Sequence, residues 1–240
     1  MIRKVVVSAA GRGTRMKHLA KNKPKHMINV QGKPFLFYVI ENLRKAGMKE
    51  IIIVTGHHSE FIEDFAKTHA FPLTIVNQFA VLGEEEYGTA CPIKVVKDII
   101  GNENFLAVAG DNLYQVNDIK KAIQDDDLNY IGSVESKNPE TKGVLVMDGD
   151  NYLEKKVEKP TTFISNLVNA SLYKFTPEIF QAIDKISLSP RGEFEITDAI
   201  TLLAQQRKVK IIKLSDYWMD FGKPSDIPKL TRFIKQKNES

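Results

Sequence analysis

The run Ser8-Ala9-Ala10-Gly11-Arg12-Gly13-Thr14-Arg15 is the stretch of this sequence best equipped for chemistry. Ala10, Gly11 and Gly13 carry little or no side chain, so backbone N–H groups there can approach an anion closely and point at it together. Arg12, Arg15, Lys21, Lys23 and Lys25 follow at short range. A nearly bare backbone among cations suits a polyphosphate. Two common phosphate loops are excluded by residue. The dinucleotide fingerprint needs a third glycine where Met16 stands, and the triphosphatase P-loop needs a Gly-Lys-Ser/Thr ending that is missing here. Taken alone, the same glycines and charges also fit a solvated surface turn.

The elements that would hold this loop can be read from the apolar pattern. Val5-Val6-Val7, just before it, suits a strand buried on both faces. Pro34 opens a helical pattern over residues 35–43 that stops at Gly47. A strand over 50–55, a helix over 58–68 and a strand over 73–76 follow. This β-α-β-α-β alternation predicts a parallel sheet with ligands at the carboxyl ends of its strands, where the Gly11 loop lies. An acidic loop between residues 77 and 87 ends in Gly88-Thr89-Ala90, which reads as the start of a helix running to about residue 100. The strand over 104–109 leads into Gly110-Asp111-Asn112. An Asp just past a buried strand can hold a divalent cation over phosphates or simply cap a turn. Asp125-Asp126-Asp127 reads as a solvated helix end and not as a metal site. Strand-like runs over 130–135, 143–147, 152–157 and 167–175 then follow one another and predict an antiparallel extension. Glu158-Lys159 at its edge reads locally as a surface charge pair, and Thr197 and Asp198 as first-turn residues of a helix over 192–206. A strand over 209–214 and a closing helix to about residue 236 complete the chain.

A length of 240 residues predicts one large α/β domain. The composition, 42% hydrophobic and 27% charged, is that of an ordinary globular protein. The net charge of +4 is mild, and its positive excess lies before residue 50 with no long basic helix. That distribution favours a small polyanion in a cleft over a nucleic acid. Cys91 stands alone, which excludes an internal disulfide and a cysteine zinc site, so a reducing cytoplasm is the expected compartment. The amino-terminal apolar stretch is too short for a signal peptide, and no run approaches the roughly 18 residues of a membrane span.

Residues 9–15, with Lys25 in Pro24-Lys25 ten residues further on, resemble the signature of the sugar nucleotidyltransferases, or nucleotide-sugar pyrophosphorylases. The resemblance is greatest to the glucose-1-phosphate thymidylyl- and uridylyltransferases. Gly88-Thr89-Ala90, Gly110-Asp111-Asn112, Glu158-Lys159-Pro160, the segments Asn169 to Tyr173 and Gly192 to Asp198, and Trp218-Met219-Asp220-Phe221-Gly222 resemble further motifs of that family in the same order. It implies a Rossmann-like, mostly parallel sheet flanked by helices with a smaller antiparallel extension. Residues 1–240 would form one domain, with 1–115 binding the nucleotide and 116–240 the sugar phosphate. It implies transfer of a nucleotidyl group from a nucleoside triphosphate, dTTP or UTP, to a sugar 1-phosphate such as glucose 1-phosphate, with release of pyrophosphate. Nucleic acid and membrane are not expected partners, and relatives are often dimers or tetramers.

The resemblance also implies roles for individual residues. Ala9, Ala10, Gly11, Gly13, Thr14, Gly83, Gly88, Thr89 and Asp111 would line the nucleotide, Arg15 would hold its β,γ-phosphates and Lys25 its α-phosphate. Mg²⁺ would be held by Asp111 and Asp220. Gly143, Glu158, Lys159, Asn169, Thr197 and Trp218 would face the sugar phosphate. Three positions depart from the family pattern: Lys142 replaces an aromatic residue, Lys223 a threonine, and Gly83 stands where a glutamine reads the pyrimidine edge, with Gln78 further upstream. The Gly83 departure leaves a cytidylyltransferase open as an alternative, and a non-catalytic nucleotide-sugar-sensing subunit is a second one. The left-handed β-helix that bifunctional relatives append is not expected within these 240 residues.

Overall fold

A computed structural model describes residues 2–215 and 217–238 of the chain. The strand β1 (Lys4–Ala9) is fully buried at Val5, Val6 and Val7 and lies at the centre of the sheet. After it come two 3₁₀ turns, Thr14–Ala20 and Lys25–Met27, and the small antiparallel pair β2 (Asn29–Val30) and β3 (Lys33–Pro34). Then follow α1 (Phe35–Lys45), β4 (Glu50–Thr55), α2 (Ser59–Thr68) and β5 (Leu73–Asn77). β1, β4 and β5 pair in parallel, as the alternating pattern predicts.

Two elements of the next stretch depart from expectation. The loop predicted over residues 77–87 begins as a helix, α3 (Gln78–Leu82), because the Asn77 carboxamide accepts from the Phe79 and Ala80 N–H groups. The single helix predicted to residue 100 is split into α4 (Cys91–Lys94) and α5 (Lys97–Ile100), and Ile93, Val96 and Ile100 are all buried.

β6 (Phe105–Ala109) pairs in parallel with β1 on the side away from β4. The sheet order β5-β4-β1-β6 therefore reverses between β1 and β6, and the crevice outside their carboxyl ends is where such folds take ligands. β7 (Asn112–Tyr114) and α6 (Val116–Ala122) follow, and then β8 (Asn129–Glu135), β9 (Gly143–Met147), β10 (Leu153–Glu158) and β11 (Leu167–Phe175). The predicted antiparallel extension is present, but it continues the main sheet: β11 pairs antiparallel with β6, β8 and β9. The chain ends through α7 (Glu178–Ile183), α8 (Ile196–Ala204), β12 (Val209–Lys213), β13 (Trp218–Asp220) and α9 (Ile227–Asn238). α1, α2 and α9 cover one face of the sheet and α4, α5, α7 and α8 the other, each over its own apolar cluster. No helix among the described residues is long and apolar enough to cross a membrane.

The acidic triplet also takes a different role from the one predicted. Asp126 is not merely solvated: it pairs at 3.0 Å with the ammonium of Lys174, whose side chain is entirely buried, and accepts from the Tyr130 hydroxyl at 2.6 Å. The Leu128 carbonyl also accepts from Lys174, at 2.6 Å, so this buried cation is satisfied and structural.

Candidate active site

At the β1/β6 switch point the chain forms a cleft of about 330 Å³. One end is walled by Ser8, Ala10, Gly11, Lys25, His26 and Asp111, and the other by Lys156, Asn169, Tyr173, Arg191 and Thr197. Gln78, Tyr87, Gly88 and Thr89 line its side. The close contact of β1 and β6 shapes the first end: Gly110 donates its N–H to the Ser8 carbonyl at 2.9 Å, and a Cβ at Gly110 would press on that oxygen.

At this end Lys25 is buried and forms an ion pair with Asp111. Burial works against the Asp111 carboxylate, but Lys25 outweighs it and holds the group below its ordinary value. The Asn112 carboxamide donates to the other Asp111 oxygen at 3.2 Å. β13 pairs antiparallel with β7 so that Asp220 lies opposite Asn112, and the Phe221 N–H donates to the Asp111 carbonyl at 2.8 Å. This two-stranded device carries Asp220 to the Asp111 turn from over a hundred residues away. Partial burial and then the Asp111 carboxylate push the Asp220 carboxyl up, partly offset by Arg15 and Lys25. A carboxylate pair in which Asp111 is held ionised and in turn raises the proton affinity of Asp220 is a fit for a divalent cation. Mg²⁺ commonly takes one or two carboxylates and completes its shell with phosphate oxygens and water, so this pair needs no third protein ligand, and no cluster of three or more acidic, His or Cys ligands occurs among the described residues. His26 is fully buried beside this pair, and burial together with Lys25 drives its imidazole down to about 3, so it is neutral.

The predicted site residues divide accordingly. Ala10, Gly11, Lys25, Gly88, Thr89, Asp111, Asn169 and Thr197 all line the cleft. Ala9 is buried in β1 behind the loop; Gly13, with φ 64, starts the first 3₁₀ turn, and Thr14 and Arg15 lie on that turn, exposed. Gly88 is required by close approach, because a Cβ there would collide with the Phe194 backbone, which brackets residues 88–90 through the Tyr87 carbonyl and the Ala90 N–H. Thr89 accepts from the Ile196 N–H at 2.9 Å and so caps α8 from across the cleft.

Five further predicted residues do not line this cleft. Gly83 is exposed, has φ 77 and terminates α3; it does not face the cleft. The glutamine that does is Gln78, which is 1% exposed with both amide atoms unpartnered. Lys159 lies just past β10, exposed and with left-handed backbone (φ 44), outside the cleft wall; the β10 lysine that lines the cleft is Lys156. Glu158, also exposed, spends its carboxylate on Lys156 at 3.0 Å. Gly143 and Trp218 stand behind the wall: Gly143 leaves space for Lys156 and Glu158, and the Trp218 ring packs on the core under the Lys142 ammonium, 4.7 Å from its centroid. Arg191, which no motif argument singled out, lines the cleft and pairs with Glu195 at 3.1 Å.

A family model described as nucleotidyl transferase matches residues 4–237. The chain belongs to the nucleotidyl transferase family. It is 37% identical over 233 residues, 97% of its own length, to the bifunctional protein GlmU of Methanocaldococcus jannaschii, covering 54% of that protein. It is 33% identical to the UTP–glucose-1-phosphate uridylyltransferase AglF of Haloferax volcanii, with 92% of each chain covered. The chain spans about half the length of the bifunctional relatives it matches. Among solved structures, an apo UDP-glucose pyrophosphorylase superposes with a TM-score of 0.86 at 23% identity over 99% of this chain and all of that one. At that identity the likeness establishes the fold.

Proposed function

We propose that this nucleotidyl transferase couples a pyrimidine nucleoside triphosphate, UTP or dTTP, to a sugar 1-phosphate such as glucose 1-phosphate, releasing pyrophosphate. The observation that carries the reading is a single cleft with the Gly11 loop and the Lys25–Asp111 pair at one end, a buried unpaired amide on its side and a polar end beyond. The substrates repel each other: a phosphate dianion must meet a triphosphate carrying about four negative charges, which costs several kcal/mol in a partly desolvated cleft. Fixed cations offset that repulsion. Lys25 is set to meet the α-phosphate, Arg15 the departing β,γ-phosphates, and Arg191 the incoming sugar phosphate. Asp111 and Asp220 are the residues that would hold Mg²⁺, which when bound supplies charge neutralisation over the phosphates.

A sugar-phosphate oxygen attacks the α-phosphorus as the bond to pyrophosphate breaks. The nucleophile is already ionised at neutral pH, so no general base is required, and the chain's residues act by positioning and charge. The neutral His26 fits this scheme, since it neither adds to nor subtracts from the charge around Lys25. The Gln78 amide offers one acceptor and one donor, which matches the N3–H and adjacent carbonyl of uracil or thymine. The same carboxamide turned over would also complement cytosine, so the cytidylyltransferase alternative is separated from this reading by the choice of triphosphate in the assay below. Arg15, Lys25, Asp111 and Asp220 are all present, which argues against a purely sensing role.

A pyrophosphate-release assay crossing ATP, GTP, CTP, UTP and dTTP with glucose 1-phosphate, N-acetylglucosamine 1-phosphate and other sugar 1-phosphates tests the reading. Activity is expected with UTP or dTTP and at least one sugar phosphate. Activity confined to CTP, or none at all, contradicts it.

A further inference from the structure

We infer that Lys156 is a substrate-binding residue of the sugar subsite, the inner ammonium that engages the sugar 1-phosphate; this rests on the function proposed above. In β10, alternation sends Lys156 and Glu158 to the same face of the strand. Opposite them in β9 stands Gly143, the register partner of Glu158. A Cβ at Gly143 would lie 2.5 Å from Cε and 3.3 Å from Nζ of Lys156. The missing side chain at residue 143 is therefore the space through which the lysine reaches the cleft.

Its ammonium is largely enclosed, with 18% of the side chain exposed, and it lines the cleft beside Asn169 and Tyr173. It donates to Thr197 Oγ1 at 3.2 Å and pairs with Glu158 at 3.0 Å. Those partners differ in permanence. Thr197 lies in the first turn of α8, whereas the Glu158 side chain is 51% exposed and free to swing away. An entering phosphate or sugar oxygen can thus replace Glu158 on Lys156 without leaving a buried charge unpaired. Lys25 is committed to Asp111 at the opposite end, and Arg191 is 62% exposed. Lys156 is the better enclosed of the two cations at the sugar end, and enclosure strengthens a charge-assisted hydrogen bond.

The test compares Lys156→Gln, Lys156→Arg, Lys159→Gln and Gly143→Ala in steady-state pyrophosphate release, using the nucleotide and sugar 1-phosphate that the wild type accepts. Lys156→Gln is expected to raise KM for the sugar phosphate about tenfold or more while KM for the nucleotide stays within about twofold. Lys156→Arg should recover part of the loss. Gly143→Ala keeps the charge but displaces its tip, so it should shift the same KM in the same direction. Unchanged melting temperatures would separate these effects from a folding defect. Equal changes in both KM values, or a Lys156→Gln enzyme with wild-type sugar-phosphate KM, would overturn the inference while the proposed reaction stands. A wild type inactive on every pair removes the proposed reaction and this inference with it.

Discussion

Gln78 is an expensive side chain for the ligand-free protein. Both of its amide atoms are buried without a partner, and an unsatisfied buried polar group costs about 1–3 kcal/mol. An apolar residue of similar length removes that cost, so Gln78→Leu is expected to melt at the same temperature as the wild type or higher. The same substitution removes the only donor and acceptor we assign to the base edge, so the rise in melting temperature on adding UTP should shrink. A destabilised variant with an undiminished UTP shift would show that the amide is structural. At this scale the sequence was legible where a side chain's place follows from the end of a strand: Asp111 after β6 and the loop after β1 are where the pattern puts them. It was not legible for Lys156 and Lys159, three residues apart, because which one enters the cleft depends on the strand's face and on the space at Gly143.

At the scale of elements, β11 explains a second feature. Its pairing with β8 shifts register between Asn169 and Tyr173, and the kink puts Ser171 at φ 56. The Asn169 carboxamide is held there by the Ser171 N–H at 2.8 Å and by the Tyr173 hydroxyl at 2.8 Å, so the irregularity aims a cleft residue. A left-handed conformation costs a non-glycine residue about 1 kcal/mol, against which glycine loses somewhat more entropy on folding. Ser171→Gly is therefore expected to stabilise the protein by about 0.5 kcal/mol, read as a higher urea midpoint at unchanged slope; a lower midpoint would mean that the serine side chain contributes more than its backbone costs. Among the elements, the parallel core was legible because Val5-Val6-Val7 and Ile51-Ile52-Ile53 leave little choice. α3 carries its own signal, Asn77 before it and Gly83 after it, but the acidic residues that follow give the stretch the composition of a loop. The junction of β7 with β13 was beyond local reading, since short strands far apart in sequence pair only once the core between them is built.

The whole molecule converts strand order into a site. β1 and β6 part at the switch point, β7 and β13 bring two carboxylates together there, and β10, β11 and α8 supply the far wall. Each half of the cleft thus depends on the other half of the chain: Thr89 caps α8, and Phe194 holds the Gly88 turn. We propose that one metal-assisted phosphate site and one sugar site share this cleft. Crystals of the protein grown with Mn²⁺ and the nucleotide-sugar product test it most directly. The account predicts an anomalous peak coordinated by both Asp111 and Asp220, with the base against Gln78 and the sugar toward Lys156 and Asn169. A nucleotide bound outside this cleft, or manganese held away from those two carboxylates, would contradict it.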